Sequence, residues 1–234
     1  MTEQPVVEDR PPAGPPRWGL GDAAAGFVVA FCLTVTVGSI WAAATDRRQS
    51  LVLVAAGLVA NWTGLLGAVL LASRRKGAGR LDEDFGLRME SSDVFLGVGA
   101  GVASQILVVV LYLPFRLLDP DLDVSDEARE LTDLANGWGI VVLLAFVAVG
   151  SPLVEELFFR GLLLRALERR FGTAWAVGGS AVAFGLAHFQ PVQLLGLVAF
   201  GAVLAVLAVR SGRLGPGLVA HATFNAITVL LLLL

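Results

Sequence analysis

Long apolar stretches separated by short polar breaks are the dominant pattern along this chain of 234 residues. A helix that spans a bilayer needs about 20 predominantly apolar residues. Stretches that approach or exceed this length lie at approximately 22–45, 51–73, 93–118, 138–164, 174–190, 193–209 and 214–234. The pattern therefore predicts an all-α fold, a polytopic membrane helix bundle of about seven transmembrane helices.

Proline and glycine mark how these helices end and pack. No charged residue occurs between Phe171 and Val209, and the break at Gln190–Gln193, which contains Pro191, divides this apolar run into two helices because proline interrupts helical hydrogen bonding. Gly97 and Gly101 have the GxxxG spacing that lets membrane helices approach closely.

The chain divides into a tail and one membrane domain. Residues 1–20 are rich in proline and charge, a composition typical of a disordered tail because it cannot bury enough apolar surface to fold. Residues 21–234 are predicted to form a single membrane-embedded domain, in which 138–228 carries the candidate chemistry described below.

Composition supports the membrane interpretation and excludes other classes. The chain is 56% hydrophobic and 16% charged, whereas soluble proteins are roughly 45–50% apolar and 25% charged. An integral multi-pass membrane protein with the lipid bilayer as a partner is therefore expected. The net charge of -3 and the absence of a basic cluster with stacking aromatics argue against nucleic acid as a partner. A single cysteine, Cys32, leaves no intrachain disulfide or cysteine metal cluster.

Basic residues predict the orientation. With seven crossings, most of them share one side of the membrane: Arg10, Arg17, Arg74, Arg75, Lys76, Arg80, Arg88, Arg165, Arg169, Arg170, Arg210 and Arg213. The opposite side carries Arg47, Arg48, Arg116 and Arg129 together with an acidic loop at 119–136. Because basic loops stay in the cytoplasm, the N-terminus is predicted to be cytoplasmic, in a protein of the plasma membrane.

Charged and polar residues inside the apolar stretches form the candidate site. Glu155, Glu156 and Arg160 lie in the fourth stretch, and the only two histidines, His188 and His221, lie in later ones. An ionised side chain at the bilayer centre costs roughly 2.5 to 3.5 kcal/mol on insertion scales. Residues placed there at such a cost are by default candidates for function.

Helical spacing indicates which of these side chains can contact one another. Arg160 lies one turn from Glu156 and is expected to pair with it. Glu155 points about 100° away, so it faces a different neighbour, where a desolvated carboxylate can accept a proton from water. Phe184 and His188 share one helix face, as do His221 and Asn225, which form a donor pair of the type that stabilises an oxyanion.

Three short patterns in order resemble a known protein family. Glu155–Arg160 reads EExxxR, Phe184–His188 reads FxxxH and His221–Asn225 reads HxxxN. Together they resemble the CAAX prenyl endopeptidase and bacteriocin-processing (CPBP, also Abi or CAAX protease) family of intramembrane proteases, over about Trp138 to Thr228.

The resemblance implies an intramembrane endopeptidase that hydrolyses a peptide bond of a membrane-associated substrate, either prenylated or membrane-spanning. It implies Glu155 as the general base that activates water, His188 as a residue that positions the water, and His221 with Asn225 as oxyanion stabilisers. Supporting residues are Glu156, Arg160 and Phe184, the last as packing around the site. The cavity is expected between the fourth, fifth and seventh segments, open towards the cytoplasmic half.

Alternative functions remain open at this point. A zinc-dependent protease could use Glu155, His188 and His221 as ligands. The absence of HExxH and the poor zinc affinity of an amide such as Asn225 favour a reaction without a cofactor. A transporter with a proton relay would need polar residues leading to both membrane faces. A membrane adaptor could bind a partner helix or a lipidated tail in the same pocket.

Overall fold

The computed structural model describes residues 16–45 and 49–233. Most of the predicted disordered tail, residues 1–15, and the arginines at 47 and 48 lie outside the described residues. Within the described part the fold is all-α, without strands, as predicted. Its helices are α1 (Leu20–Thr45), α2 (Leu51–Lys76), α3 (Leu81–Phe85), α4 (Ser91–Leu118), α5 (Asp126–Asp133), α6 (Trp138–Phe171), α7 (Thr173–Ala187), α8 (Leu194–Ser211) and α9 (Gly215–Leu232).

Six of these helices, α1, α2, α4, α6, α8 and α9, are long and apolar enough to cross a membrane. The seventh predicted segment corresponds to α7, an apolar helix of only 15 residues. It is followed by the predicted break, since α7 ends at Ala187 and α8 begins at Leu194. The prediction of a polytopic helical bundle is confirmed, with one helix shorter than a full span.

The helix α6 extends further than the sequence pattern predicted. It continues past Leu164 to Phe171, and the arginines in this last part contact other parts of the bundle. Arg165 Nη2 donates to the Gly212 carbonyl at 3.0 Å, and Arg169 Nη2 donates to the Trp18 carbonyl at 2.6 Å. The first arginine of a helical segment is therefore a poor marker of its end here.

The bundle has two distinct ends. The basic end consists of residues 16–20, 74–91, 165–173 and 210–215, and it is held together by polar contacts. Arg213 Nη2 lies 2.7 Å from Asp93 Oδ1, and the backbone N–H of Leu214 donates to the Gly86 carbonyl at 2.8 Å. The acidic end consists of residues 116–138 and 187–194 and the end of α9.

Close helix contacts depend on glycine, as predicted for Gly97 and Gly101. A Cβ atom at Gly97 would lie 2.9 Å from the Pro216 carbonyl oxygen, and one at Gly101 would lie 2.7 Å from the Ala220 carbonyl oxygen. The missing side chains let α4 pack against α9. Because α9 carries His221 and Asn225, this contact positions half of the candidate site.

Two segments of α6 are π-helical, Ala145–Gly150 and Glu156–Leu163. Wide turns of this kind are rare inside α-helices and occur frequently at functional sites. The second segment begins at Glu156 and includes Arg160, and Pro152 lies between the two segments. Hence the candidate chemistry lies where α6 departs from regular α-helical geometry.

Candidate active site

A cavity of about 470 Å³ lies among α2, α6, α7, α8 and α9. Its wall includes Glu155, Phe184, His188, His221 and Asn225. All residues predicted to be catalytic therefore line one space, as does the predicted packing residue Phe184. Glu156 and Arg160 lie behind Glu155, and both are fully buried.

Glu156 and Arg160 form a buried ion pair. Arg160 Nη1 lies 2.9 Å from Glu156 Oε1, and both side chains are 0% exposed. The other terminal nitrogen of Arg160, Nη2, donates to the Gly201 carbonyl at 3.1 Å. The pairing expected from the spacing of the two residues is present, and it also ties α6 to α8.

His221 connects this ion pair to Glu155. Its Nδ1 lies 3.0 Å from Glu156 Oε1. A carboxylate oxygen paired with arginine accepts hydrogen bonds, so Nδ1 is assigned as the protonated nitrogen. The other ring nitrogen, Nε2, lies 3.7 Å from Glu155 Oε2. This contact between the two glutamates and His221 was not predicted from the sequence, because it depends on how α9 packs against α6.

Glu155 Oε2 is a buried acceptor without a hydrogen-bond partner among the described residues. Its 3.7 Å distance to His221 Nε2 is too long for a hydrogen bond. The side chain as a whole is 16% exposed and lines the cavity. Glu155 thus borders the cavity and has one carboxylate oxygen that is not held by a hydrogen bond to a described residue.

His188 presents one nitrogen to the cavity. Its Nδ1 lies 2.8 Å from the Phe184 carbonyl oxygen, one turn back in the chain. Because a carbonyl only accepts, Nδ1 carries the proton of the neutral ring and Nε2 is the acceptor. The residue follows the last residue of α7 and is half-buried.

Asn225 forms a hydrogen bond to the backbone of α6 that its sequence pattern did not predict. Its Nδ2 donates to the Val147 carbonyl at 2.8 Å. In the π-helical segment the N–H of Ser151 bonds to the Phe146 carbonyl, five residues back. At the same spacing, residue 152 would donate to Val147, but Pro152 has no N–H.

Asn225 therefore replaces the helical donor that Pro152 lacks. One hydrogen of its amide is engaged by this bond, and the second is not bonded in the described structure. A proline inside the apolar stretch was the available sequence signal, since it leaves a carbonyl that needs another donor.

Phe184 packs at the centre of the site. Its ring lies 4.7 Å from the His188 ring and 5.6 Å from the His221 ring, measured between centroids. The guanidinium carbon of Arg160 lies 4.4 Å from the Phe184 centroid. The residue shields the ion pair and limits the motion of both imidazoles, which agrees with the packing role expected from the sequence.

The donor arrangement bears on the zinc alternative. Each histidine uses Nδ1 in a hydrogen bond, which leaves Nε2 as the nitrogen that could bind a metal. Histidine zinc ligands are commonly held in this way. However, no group of three His, Cys, Asp or Glu side chains in the described part of the chain is arranged to hold a metal ion. The geometry described here therefore does not fit a three-ligand zinc site.

The cavity reaches the acidic end of the bundle. Beyond the site residues it is lined by Val54 and Asn61 in the first half of α2, Leu131 in α5, and Gln190 and Gln193 between α7 and α8. No residue of the basic end contributes to its wall. The expected opening at the end with the basic residues is therefore wrong, because depth was counted from that end without knowing which way the side chains face.

Fold and composition define an integral membrane protein of the helical-bundle class. Residues 137–227 match the model of the family described as "Type II CAAX prenyl endopeptidase Rce1-like". This range contains all the candidate site residues, and the match confirms the resemblance inferred from the three motifs.

A curated relative supports the same assignment. "Putative membrane peptidase YdiL" of Bacillus subtilis (strain 168) is 26% identical over 107 residues, which cover 46% of this chain and 43% of the relative. The match thus spans less than half of the relative's length. No solved structure gives a significant match to the chain.

Proposed function

We propose that this protein is an intramembrane endopeptidase of the CAAX-protease type, which hydrolyses a peptide bond of a membrane-associated substrate with water activated by Glu155. The observation that carries the proposal is the pair formed by Glu155 and His221. Their Oε2 and Nε2 atoms lie 3.7 Å apart, and both residues line the cavity. Glu155 lies near the middle of α6, roughly 25 Å of helix from either end at the usual helical rise.

The charges of the site favour one additional proton. With a neutral imidazole, Glu155, Glu156 and Arg160 together carry one excess negative charge, next to the fully buried pair of Glu156 and Arg160. One additional proton on His221 balances it. Protonated His221 donates through Nδ1 to Glu156 and directs Nε2–H towards Glu155 and the cavity.

The reaction then follows from these positions. A water molecule beside Glu155 attacks the peptide carbonyl carbon while Glu155 takes one of its protons, and the carbonyl oxygen becomes an oxyanion. His221 Nε2–H and the second amide hydrogen of Asn225 stabilise this oxyanion. Glu155 passes the proton to the leaving nitrogen as the C–N bond breaks, giving a carboxylic acid and an amine. The acid then gives up its remaining proton, which the amine takes up, so the products are a carboxylate and an ammonium group.

His188 completes the array as an acceptor. Its Nε2 is unprotonated in the neutral ring because Nδ1 donates to Phe184. It can therefore accept a hydrogen bond from the attacking water and orient a lone pair towards the substrate. Glu156 and Arg160 act indirectly, because they hold His221 in position and do not contact the substrate.

The two non-enzymatic alternatives have less support. A proton pathway through the membrane requires polar groups from one face to the other. Here the cavity wall includes no residue of the basic end. A membrane adaptor would bind a ligand in the cavity without turnover, so an assay of cleavage separates it from the protease.

The test is cleavage of fluorogenic CAAX-type and membrane-peptide substrates by the purified full chain in detergent or vesicles. Glu155→Gln keeps the size of the side chain but removes its basicity, and we expect it to abolish cleavage. The matched control is Glu168→Gln, on the same helix but outside the cavity, where the amide oxygen can still accept from Thr173. This variant should cleave as the wild type does.

Chelation addresses the metal question in the same assay. We expect cleavage to resist chelators. Cleavage that is lost with a chelator and restored by zinc would replace the proposed mechanism with a metal-dependent one. Cleavage that persists in Glu155→Gln would refute Glu155 as the base, whereas no cleavage of any substrate by the folded wild type would leave the adaptor as the better account.

A further inference from the structure

The two ends of the bundle differ strongly in charge. The basic residues described at the basic end lie near or beyond the ends of the helices. They are Arg17, Arg74, Arg75, Lys76, Arg80, Arg88, Arg165, Arg169, Arg170, Arg210 and Arg213. Among the described residues, the acidic end has only Arg116 and Arg129. It also carries the acids Asp119, Asp121, Asp123, Asp126, Glu130 and Asp133. The connecting loops are short, which is the situation in which lysine and arginine determine orientation.

The cavity extends from mid-depth towards the acidic end, as its wall on α6 and α9 shows. On α6 the wall runs from Glu155 back through Ser151 and Val147 to Leu143. On α9 it runs from His221 forward to Val229. These two helices run in opposite directions, and on both the wall proceeds towards the acidic end.

Packed side chains fill the other direction. Glu156 and Arg160 lie behind Glu155 and are 0% exposed, as are Leu162 and Leu204. A Cβ atom at Gly217 would lie only 3.0 Å from Glu156 Oε2. Packed side chains therefore separate Glu155 from the basic end, and none of the described residues of that end lines the cavity.

We infer that the cavity is entered from the extracytoplasmic side of the membrane, and that its substrate is a membrane-anchored polypeptide whose cleaved segment lies on that side. The basic end faces the cytoplasm according to its charge, so the acidic end and the cavity mouth face away from it. The part that concerns the substrate rests on the proposed protease function. The part that concerns access depends only on charge and cavity shape.

Thiol labelling tests the access directly. The chain has one cysteine, Cys32, which Cys32→Ser removes. Three single cysteines are then introduced into that background at neutral positions. Asn136→Cys reports the surface of the acidic end, Gln190→Cys reports the cavity wall, and Ala78→Cys reports the surface of the basic end.

We expect a membrane-impermeant maleimide to label Asn136→Cys and Gln190→Cys in intact cells to the extent reached after permeabilisation. Ala78→Cys should be labelled only after permeabilisation. Labelling in denaturant confirms that each thiol is present, and Pro120→Cys provides a second reporter of the acidic end, on an exposed loop position.

The reverse pattern, or equal labelling of both ends in intact cells, would overturn the inference. Labelling of Asn136→Cys without Gln190→Cys would overturn entry through this mouth while leaving the orientation intact. None of these results depends on catalysis, so failure of the access claim is distinct from failure of the protease proposal.

The substrate part has its own measurement. In sealed vesicles whose protein orientation is known from Asn136→Cys labelling, a lipid-anchored fluorogenic peptide is added to one side only. We expect cleavage when the peptide and the acidic end share a side. Cleavage only from the opposite side would overturn the substrate class, and labelling as expected with no cleavage from either side would count against the protease alone.

Discussion

The Nδ1 atom of His221 lies 3.0 Å from Glu156 Oε1, the same oxygen that Arg160 contacts at 2.9 Å. One carboxylate oxygen therefore joins the EExxxR helix to the HxxxN helix. Arg160 supplies a positive charge beside Glu156 in a fully buried place, and the shared oxygen of Glu156 accepts the hydrogen bond from Nδ1 of His221. In the proposed reaction the second glutamate of the motif is therefore a positioning residue, whose effect passes through His221.

Removing the charge of Glu156 should destabilise the fold. Glu156→Gln leaves Arg160 buried without its counter-ion, and breaking one side of a buried pair typically costs about 3–5 kcal/mol. We expect a loss of this order in the free energy of unfolding, measured by chemical denaturation in detergent, together with loss of cleavage. Glu168→Gln, away from the cavity, should change stability by less than about 0.5 kcal/mol.

A double variant separates the pair from the rest of the fold. Glu156→Gln combined with Arg160→Met removes both charges, so the combined loss should be clearly smaller than the sum of the two single losses. Strictly additive losses would mean that the two side chains do not stabilise each other.

The bond between Asn225 and the Val147 carbonyl predicts coupling with Pro152. Asn225→Ala leaves that carbonyl without a donor, at an expected cost of about 1–3 kcal/mol in the free energy of unfolding. Pro152→Ala supplies a backbone N–H within α6, which can serve the same carbonyl. The cost of Asn225→Ala should therefore be smaller in the Pro152→Ala background.

Denaturation of the four proteins, wild type, both single variants and the double variant, measures this coupling. Equal costs of Asn225→Ala in both backgrounds would show that Asn225 does not substitute for the helical donor. In that case its conformation in the site needs another explanation, and its second amide hydrogen is no longer held in place by the Val147 bond.

Membrane helices were predictable because the bilayer imposes a local rule. Each spanning segment must be apolar over its whole length, and that property can be read from consecutive residues. The break at Pro191 and the pairing of Glu156 with Arg160 are local in the same sense. The extension of α6 was not, because Arg165 and Arg169 interrupt the apolar pattern while their side chains bond to the distant residues Gly212 and Trp18.

Site residues were predictable as a set but not in their contacts. The motifs identified Glu155, His188, His221 and Asn225, and all four line the cavity. The bond from His221 to Glu156 spans 65 residues of sequence, and the bond from Asn225 to Val147 spans 78. Such partners depend on the packing of α9 against α6, and the direction in which the cavity opens depends on the same packing.

The contact between Phe184 and Arg160 should contribute beyond the burial of the ring. Phe184→Leu keeps an apolar side chain but removes the aromatic face that lies 4.4 Å from the guanidinium carbon. A desolvated cation–π contact is worth about 2 kcal/mol. We therefore expect Phe184→Leu to lose more stability than Phe158→Leu, whose ring is equally buried and contacts Phe159 edge-on.

Measuring the stability losses of Phe184→Leu and Phe158→Leu in an Arg160→Met background tests whether the contact with Arg160 causes the difference. Without the guanidinium, the difference between Phe184→Leu and Phe158→Leu should largely disappear. If the difference persists, the larger loss comes from the packing of Phe184 against the two imidazoles, and the cation–π contribution is negligible.

The packing of α4 against α9 predicts opposite outcomes for two neighbouring glycines. A Cβ atom at Gly101 would lie 2.7 Å from both the Ala220 carbonyl oxygen and the Thr223 Cβ, whereas one at Gly99 would meet nothing within 4 Å. Gly101→Ala should cost about 1–3 kcal/mol through overpacking, and Gly99→Ala should be neutral or stabilise by up to about 1 kcal/mol through helix propensity. Denaturation in detergent measures both effects.

Gly101→Ala should also reduce cleavage by protein that is still folded. The added methyl group pushes on the backbone of Ala220, the residue before His221, so that α9 must shift to accept it. A shift of a few tenths of an ångström changes the distance from His221 Nε2 to Glu155, which lies outside hydrogen-bond range already. If Gly101→Ala lowers stability but cleaves at the wild-type rate per folded molecule, α9 is free to move without affecting the reaction, and the proposed dependence of catalysis on the position of His221 is wrong.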